Sequence, residues 1–303
     1  MQKLPTYLRD SVIMHKSPQF KNTMTTTKSI FLTAATSVTL GGSLLAGTKV
    51  LYVTHEPGRF HKYTPQREKF QELAKQNDWE LTVISGDQKE VQNKLATDPD
   101  FGKGADVIVY NFCFANCDDT RIPHNIITTT KDKGIPALLV HCSLHSFWGT
   151  FRPGSDRVHP EGANAKVQAK KNLVAEWKKT NPNDPFPAWP NMTGIASIKH
   201  GPRKPIQAVP ILSDHPALKG VEKGYLTAVA ELYNNVITAK DSPKTTSIMD
   251  GKQGNAEASV LWEHPVGKSK ALSFTLGHGM QEWEQKEFQT ILVNSVEYLG
   301  NSK

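Results

Sequence analysis

The stretch PALLVHCSLHSFW, Pro136–Trp148, decides the fold: four apolar residues, Ala137–Val140, run straight into His141, Cys142 and His145, and then into helix-like sequence. An apolar run this short, without polar alternation, is what a strand buried on both faces requires. Toward the N-terminus KVLYVT, ELTVIS and ADVIVYN, starting at Lys49, Glu80 and Ala105, repeat the pattern. Between the first two, PQREKFQELAKQ places Phe70, Leu73 and Ala74 at helical spacing. Strands separated by helical stretches predict right-handed crossovers and an α/β fold with a three-layer, doubly wound, mostly parallel sheet. Ligands of such sheets bind in the crevice outside the carboxyl ends of the strands.

Beyond Phe151 the rhythm breaks. A helix-like run, NAKVQAKKNLVAEWKK, precedes the Pro- and Asn-rich TNPNDPFPAWPNMTG, so an insertion is expected over about 151–205, on the ligand side or as a lid. AVAELYNNVIT, KTTSIMD, ASVLWEH and KSKALSFTL then read as strands. The closing run EWEQKEFQTILVNSVEYL places Trp283, Phe288, Ile291, Leu292 and Val296 on one helical face. With 303 residues, 38% of them hydrophobic, and no repeat or linker after Thr48, residues 48–300 read as one domain with a well-filled core.

Residues 1–47 differ. Lys28 precedes an apolar and small-residue run, IFLTAATSVTLGGSLLAG, of signal-peptide length, with Ala46 as the cleavage point and Met24 as an alternative start. The expectation is export to the periplasm or exterior, with a cytoplasmic location as the alternative. The run is too short and too rich in Thr, Ser and Gly for a stable membrane span. The net charge of +7 is spread along the chain without a Lys/Arg stripe interleaved with aromatics, so no nucleic-acid partner is expected. Cys113 and Cys117 could pair in an exported chain; burial as small apolar residues is the favoured reading.

Polar residues collect at the predicted strand ends. THEPGRFHKY offers His55, Glu56, Arg59 and His61; NFCFANCDD offers Asn111, Asn116 and Asp118; the fourth strand ends in His141, Cys142 and His145; SFTLGHGM places His278 between two glycines. A single strand-end histidine is more often a hydrogen-bonded structural residue. Several converging imidazoles can hold a borderline divalent metal such as zinc, with His61, His141 and His145 as the expected ligands, whereas a lone imidazole can serve as acid or base. Cys142 sits where a strand-to-helix turn could activate a thiol, but its flanks lack the small residues such an elbow wants.

From Lys49 to Leu299 the chain resembles the ThuA-like, trehalose-utilisation family. The carrying stretches are RFHKY, LLVHCSLHSFW, DHPALKGV followed by ELY, and VLWEHPVGKSKALSFTLGHGMQEWEQKEFQTILVNSVEYL, in that order. The resemblance implies a fold like the flavodoxin-like sheet of class I glutamine amidotransferases. Cys142 and His145 then stand at that fold's Gly-x-Cys-x-Gly-His elbow, and His278 at its triad histidine. Both elbow glycines are missing, and Met280 stands where the triad has glutamate. Members of the family commonly lack the cysteine, so amidotransferase chemistry is not expected.

The resemblance implies instead a role in using trehalose or a related glycoside, with His61, His141, His145, Glu231, Tyr233 and His278 as pocket positions. On that basis His141, His145, His278 and Glu231 are the expected catalytic groups. His61, Asn111, Tyr233, Trp148 and Trp283 are the expected sugar contacts, the tryptophans by stacking; core packing is the alternative for Tyr233 and Trp283. The leading expectation is a hydrolase, lyase or isomerase acting on a small carbohydrate by acid–base or metal-assisted chemistry. A non-catalytic sugar- or partner-binding domain and a Cys-dependent amidase are the alternatives, and a homo-oligomer is allowed.

Overall fold

In the computed structural model the described residues are 47–115, 117–147, 164–197, 199–235, 238–240 and 242–302, with backbone alone for 164–170. The leader up to Ala46, together with Asn116, Trp148 and 151–163 of the expected insertion, lies outside them. The elements run β1 (Lys49–Val53), α1 (Tyr63–Gln76), β2 (Glu80–Ile84), α2 (Gln88–Thr97), β3 (Val107–Tyr110), α3 (Arg121–Lys131) and β4 (Ala137–Val140). A 3-10 turn over His141–His145 follows, then α4 (Asn164–Thr180), α5 (Pro190–Thr193), β5 (Gln207–Pro210), β6 (Tyr225–Leu226), β7 (Thr246–Gln253), β8 (Ala256–Val266), β9 (Ser269–Phe274), α6 (Met280–Trp283) and α7 (Lys286–Gly300).

Among the described residues one nine-stranded sheet has the order β2-β1-β3-β4-β9-β8-β7-β5-β6. The first five strands pair in parallel, as the sequence predicts. The remaining pairings are antiparallel, which makes the sheet mixed. The cause is local: Gly254–Asn255 joins β7 to β8 and Gly267–Lys268 joins β8 to β9, and two-residue connections permit only hairpins.

Alternate residues of the parallel strands feed two cores. Val50, Tyr52, Val107, Val109, Leu138 and Val140 pack with Phe70 and Leu73 of α1 and with Phe288, Ile291 and Val296 of α7. Leu51, Val53, Ile108, Tyr110 and Leu139 pack with Val91 and Leu95 of α2 and with Ile122 and Ile126 of α3. Because both faces are covered, every residue of β3 and β4 is buried.

Two readings, one of a strand and one of a helix, are corrected. The described residues of AVAELYNNVIT form no strand: His200–Tyr233 and Lys204–Ala230 are isolated bridges, because its polar groups turn to separate partners. Ala228 N donates to Gln285 Oε1 at 2.6 Å, while Glu231 accepts from Arg203 Nε at 2.9 Å. Trp283 belongs to the one-turn α6, which stops before α7 because Gln285 takes extended angles as the α7 cap.

Candidate functional site

The carboxyl ends of β1, β3, β4 and β9 meet at one crevice. β4 delivers His141 in the left-handed region, φ 46°, where a residue with a Cβ rarely sits and where strain often accompanies function. The sharp turn that a glycine elbow would supply is thus made by the histidine itself. Its Nδ1 lies 2.6 Å from the Thr275 carbonyl, so Nδ1 carries the proton and donates. Nε2 is left buried with no hydrogen-bond partner.

His61 is placed the same way, with Nδ1 3.2 Å from the His278 carbonyl. The His61, His141 and His278 rings pack edge to face, with centroids 4.7 to 5.4 Å apart. One nitrogen of each lies within 4.8 Å of the others, close enough to share a metal ion. Burial holds all three imidazoles neutral: His61 is lowered to about 4, His141 well below its ordinary value, and His278 is lowered too, with Glu231 opposing.

This set differs from the expected ligands by one residue. His145 is not in the cluster, because its ring lies flat on Tyr233, centroids 3.7 Å apart at 6°, and its Nε2 is engaged by Ser197 Oγ. His278 takes its place. The scaffold around His278 is a set of buried polar contacts that the sequence reading did not find. Glu282 accepts from Gly277 N at 3.0 Å and His278 N at 2.7 Å, and Gln66 Nε2 donates to the Gly277 carbonyl at 3.3 Å. Gly277 takes φ 107°, and a Cβ there would meet Phe288 Cζ at 3.0 Å. Burial pushes the Glu282 carboxyl up to about 7 against those backbone bonds. The i, i+4 step from His278 to Glu282 was the available sequence signal.

Glu231 is the one carboxylate facing the cluster among the described residues lining the cavity. It accepts from Arg203 Nε at 2.9 Å and lies 3.4 Å from His278 Nδ1, 3.5 Å from His200 Nε2 and 3.6 Å from His141 Nε2. A carboxylate partner for His278 therefore exists despite Met280, supplied from a distant loop. Cys142 is no activated nucleophile in this arrangement: its thiol donates to Cys113 Sγ at 2.7 Å. That bond, together with burial, raises the Cys142 thiol well above its ordinary value, and accepting it lowers Cys113. The neighbouring sulfur of Cys113 is thus that of Cys142, not Cys117.

A cavity of about 320 Å³ lies against this cluster, lined by His61, His145, Glu231 and Tyr233, while His141 and His278 are not among its lining residues. Arg59, Phe60, Cys113, Ala115, Cys142, His200 and Arg203 complete it. Two expected sugar contacts are elsewhere. Asn111 Nδ2 is buried, donating to Tyr52 OH at 2.7 Å and Gln66 Oε1 at 2.9 Å, so it braces the site from behind. Trp283 is fully buried against Phe288, with Nε1 donating to the Gly277 carbonyl at 3.0 Å. Both are scaffold, because each has its polar group committed inside the protein.

A mixed α/β sheet carrying a histidine-lined crevice at its strand ends defines the general class. Its fold is shared by a ThuA-like protein of Bacteroides uniformis (11% identity, TM-score 0.57, covering 84% of this chain and 92% of that one). A ThuA-like protein of Parabacteroides merdae shares it too (10% identity, TM-score 0.60, 85% and 91%). The glutaminase domain of Trypanosoma brucei CTPS aligns at TM-score 0.43 and 11% identity over 84% of this chain and 95% of that one, too low a score to argue from. No curated protein matches the sequence. The family model for ThuA, trehalose utilisation, matches residues 142–299, more than half of the 303, and the chain belongs to that family. The match begins one residue after His141, so the first four strands and His61 are brought to the site by the fold.

Proposed function

We propose that this chain processes a small sugar, trehalose or a related glycoside, by acid–base chemistry in the histidine crevice. The observation that carries this reading is the convergence of three neutral imidazoles on one point beside a buried carboxylate, with His141 Nε2 and His278 Nδ1 lacking hydrogen-bond partners. A buried polar atom without a partner is costly in a merely structural site. In a reactive site it is a base, a ligand or a substrate contact.

In this reading His278 Nδ1 or His141 Nε2, both buried behind the cavity wall, takes a proton from a sugar hydroxyl that reaches past His61, and Glu231, within 3.6 Å of both, favours the imidazolium that results. Arg203 holds Glu231 in place. The stacked His145–Tyr233 pair offers a flat wall for a sugar face, the role read for Trp148 lying outside the described residues. The same three histidines fit a divalent metal such as zinc. Their donors are neutral, two of the nitrogens make no hydrogen bond though Glu231 lies 3.4 and 3.6 Å away, and His61 and His141 are oriented by backbone carbonyls as metal-bound imidazoles usually are. When bound there, such an ion would polarise a sugar oxygen or lower the pKa of bound water.

Elemental analysis followed by a glycoside panel, with metal removed and restored, tests the reading. His141→Ala and His278→Ala are each expected to abolish turnover while circular dichroism stays native. Undiminished turnover in either variant removes its assigned role. Tight sugar binding without product in the wild type would favour a binding domain. We also infer export on the leader read at 1–47; N-terminal sequencing of the mature protein from the cell exterior or periplasm tests that.

A further inference from the structure

We propose that Cys113 and Cys142 close into a reversible disulfide, making the wall of the crevice a redox modification site. Cys142 Sγ donates to Cys113 Sγ at 2.7 Å, and neither thiol is in a disulfide. The ladder explains the approach. β3 and β4 run in parallel with Tyr110 opposite Leu139, and Cys113 and Cys142 each follow three residues later. The two cysteines therefore leave neighbouring strands at equivalent steps, and strands about 4.8 Å apart match the Cα separation a disulfide needs. Bond formation asks the sulfurs to close by about 0.7 Å, to the usual length of about 2.05 Å.

Both side chains are under a tenth exposed, yet both line the cavity, so a small neutral oxidant such as hydrogen peroxide can reach them. Cys113 gives up its proton and its sulfur attacks a peroxide oxygen; the O–O bond breaks, the leaving hydroxide takes up that proton as water, and a sulfenic acid remains. The Cys142 sulfur then attacks the Cys113 sulfur, and the departing hydroxide takes the Cys142 proton as the second water, forming the S–S bond. Two thiols are oxidised, one peroxide is reduced to two waters, and an external thiol reverses the step. The bridge ties the exit of β3 to the turn that carries His141 and His145. It also replaces two thiol donors in the sugar-facing wall.

The test uses the reduced full chain exposed to hydrogen peroxide, then alkylated under denaturing conditions and mapped by peptide mass. The expected result is a linked Cys113–Cys142 peptide that has lost two hydrogens, with loss of alkylation at both positions, restored by dithiothreitol. In Cys142→Ala that peptide disappears, and Cys113 is alkylated or carries a single-sulfur oxidation product. Full alkylation of both thiols in oxidised wild type overturns the proposal, as does linkage through Cys117 or stable over-oxidation of either sulfur without a bridge. The wild-type map decides even if the variant fails to fold.

Discussion

Glu282→Gln isolates the buried carboxyl behind His278. In the folded chain burial raises this group from its ordinary 4.5 to about 7. Between those values the folded state holds a proton that the unfolded state has released. The group's contribution to stability is therefore fully present below about 4.5 and is lost as pH rises through about 7. At 1.36 kcal/mol per pH unit, the loss is about 3 kcal/mol. His61 works in the opposite sense: lowered from 6.5 to about 4, it adds stability as pH rises through that window. His141, His278 and other histidines lowered by burial act in the same sense as His61, so wild-type stability alone does not isolate Glu282, and the informative quantity is the difference between variant and wild type. The glutamine side chain carries one offset at all pH values, about 1–3 kcal/mol, because Gly277 N and His278 N bond to different carboxyl oxygens and the amide turns one of those two acceptors into an NH2 donor. Upon that offset, the Glu282→Gln protein should gain about 3 kcal/mol on wild type between pH 4.5 and 8. Urea unfolding of both proteins in chelator across that range measures it. A flat difference refutes the reasoning. A difference of opposite slope means that the backbone N–H groups outweigh burial and the folded carboxyl lies below 4.5.

Trp283→Phe should cost about 1–2 kcal/mol in urea unfolding through loss of the Gly277 bond, with sugar affinity unchanged; weakened sugar binding would return Trp283 to the pocket. Gln66→Leu cuts the link between Asn111 and the Gly277–His278 backbone and should lower turnover about 10- to 100-fold with metal content as the second readout. His61→Ala should lower zinc affinity by at least about 100-fold in competition with a chelator, whereas His145→Ala should leave it nearly intact. Equal losses in the two variants would restore His145 as a ligand.

The parallel half of the sheet was legible because burial on both faces leaves a local mark, the unbroken apolar runs of β3 and β4. The antiparallel half was partly legible: Gly254–Asn255 and Gly267–Lys268 are two-residue Gly-containing turns between stretches that read as strands, a signal that outweighs the parallel rhythm before it. AVAELYNNVIT misled because its alternation matches a strand while its polar groups are claimed by Arg203, Gln285 and Ser259 from elsewhere. Trp283 misled because a helical period continues through a break that only the backbone angles of Gln285 reveal.

By itself the sequence determined which residues stand at strand ends, because strand length and polarity are local properties, and so placed His61, His141, His145 and His278 in one crevice. Its family motifs added Glu231 and Tyr233. Only the tertiary structure decided which of them meet. His278 replaces His145 in the three-imidazole cluster because Tyr233 captures the His145 ring, and Glu231 reaches His278 across residues far apart in the chain. Whether Asn111 and Trp283 face ligand or scaffold was likewise settled by hydrogen bonds to Tyr52, Gln66 and the Gly277 carbonyl. Partner choice among buried polar groups depends on distances of a few tenths of an ångström between distant segments, and no local pattern encodes those.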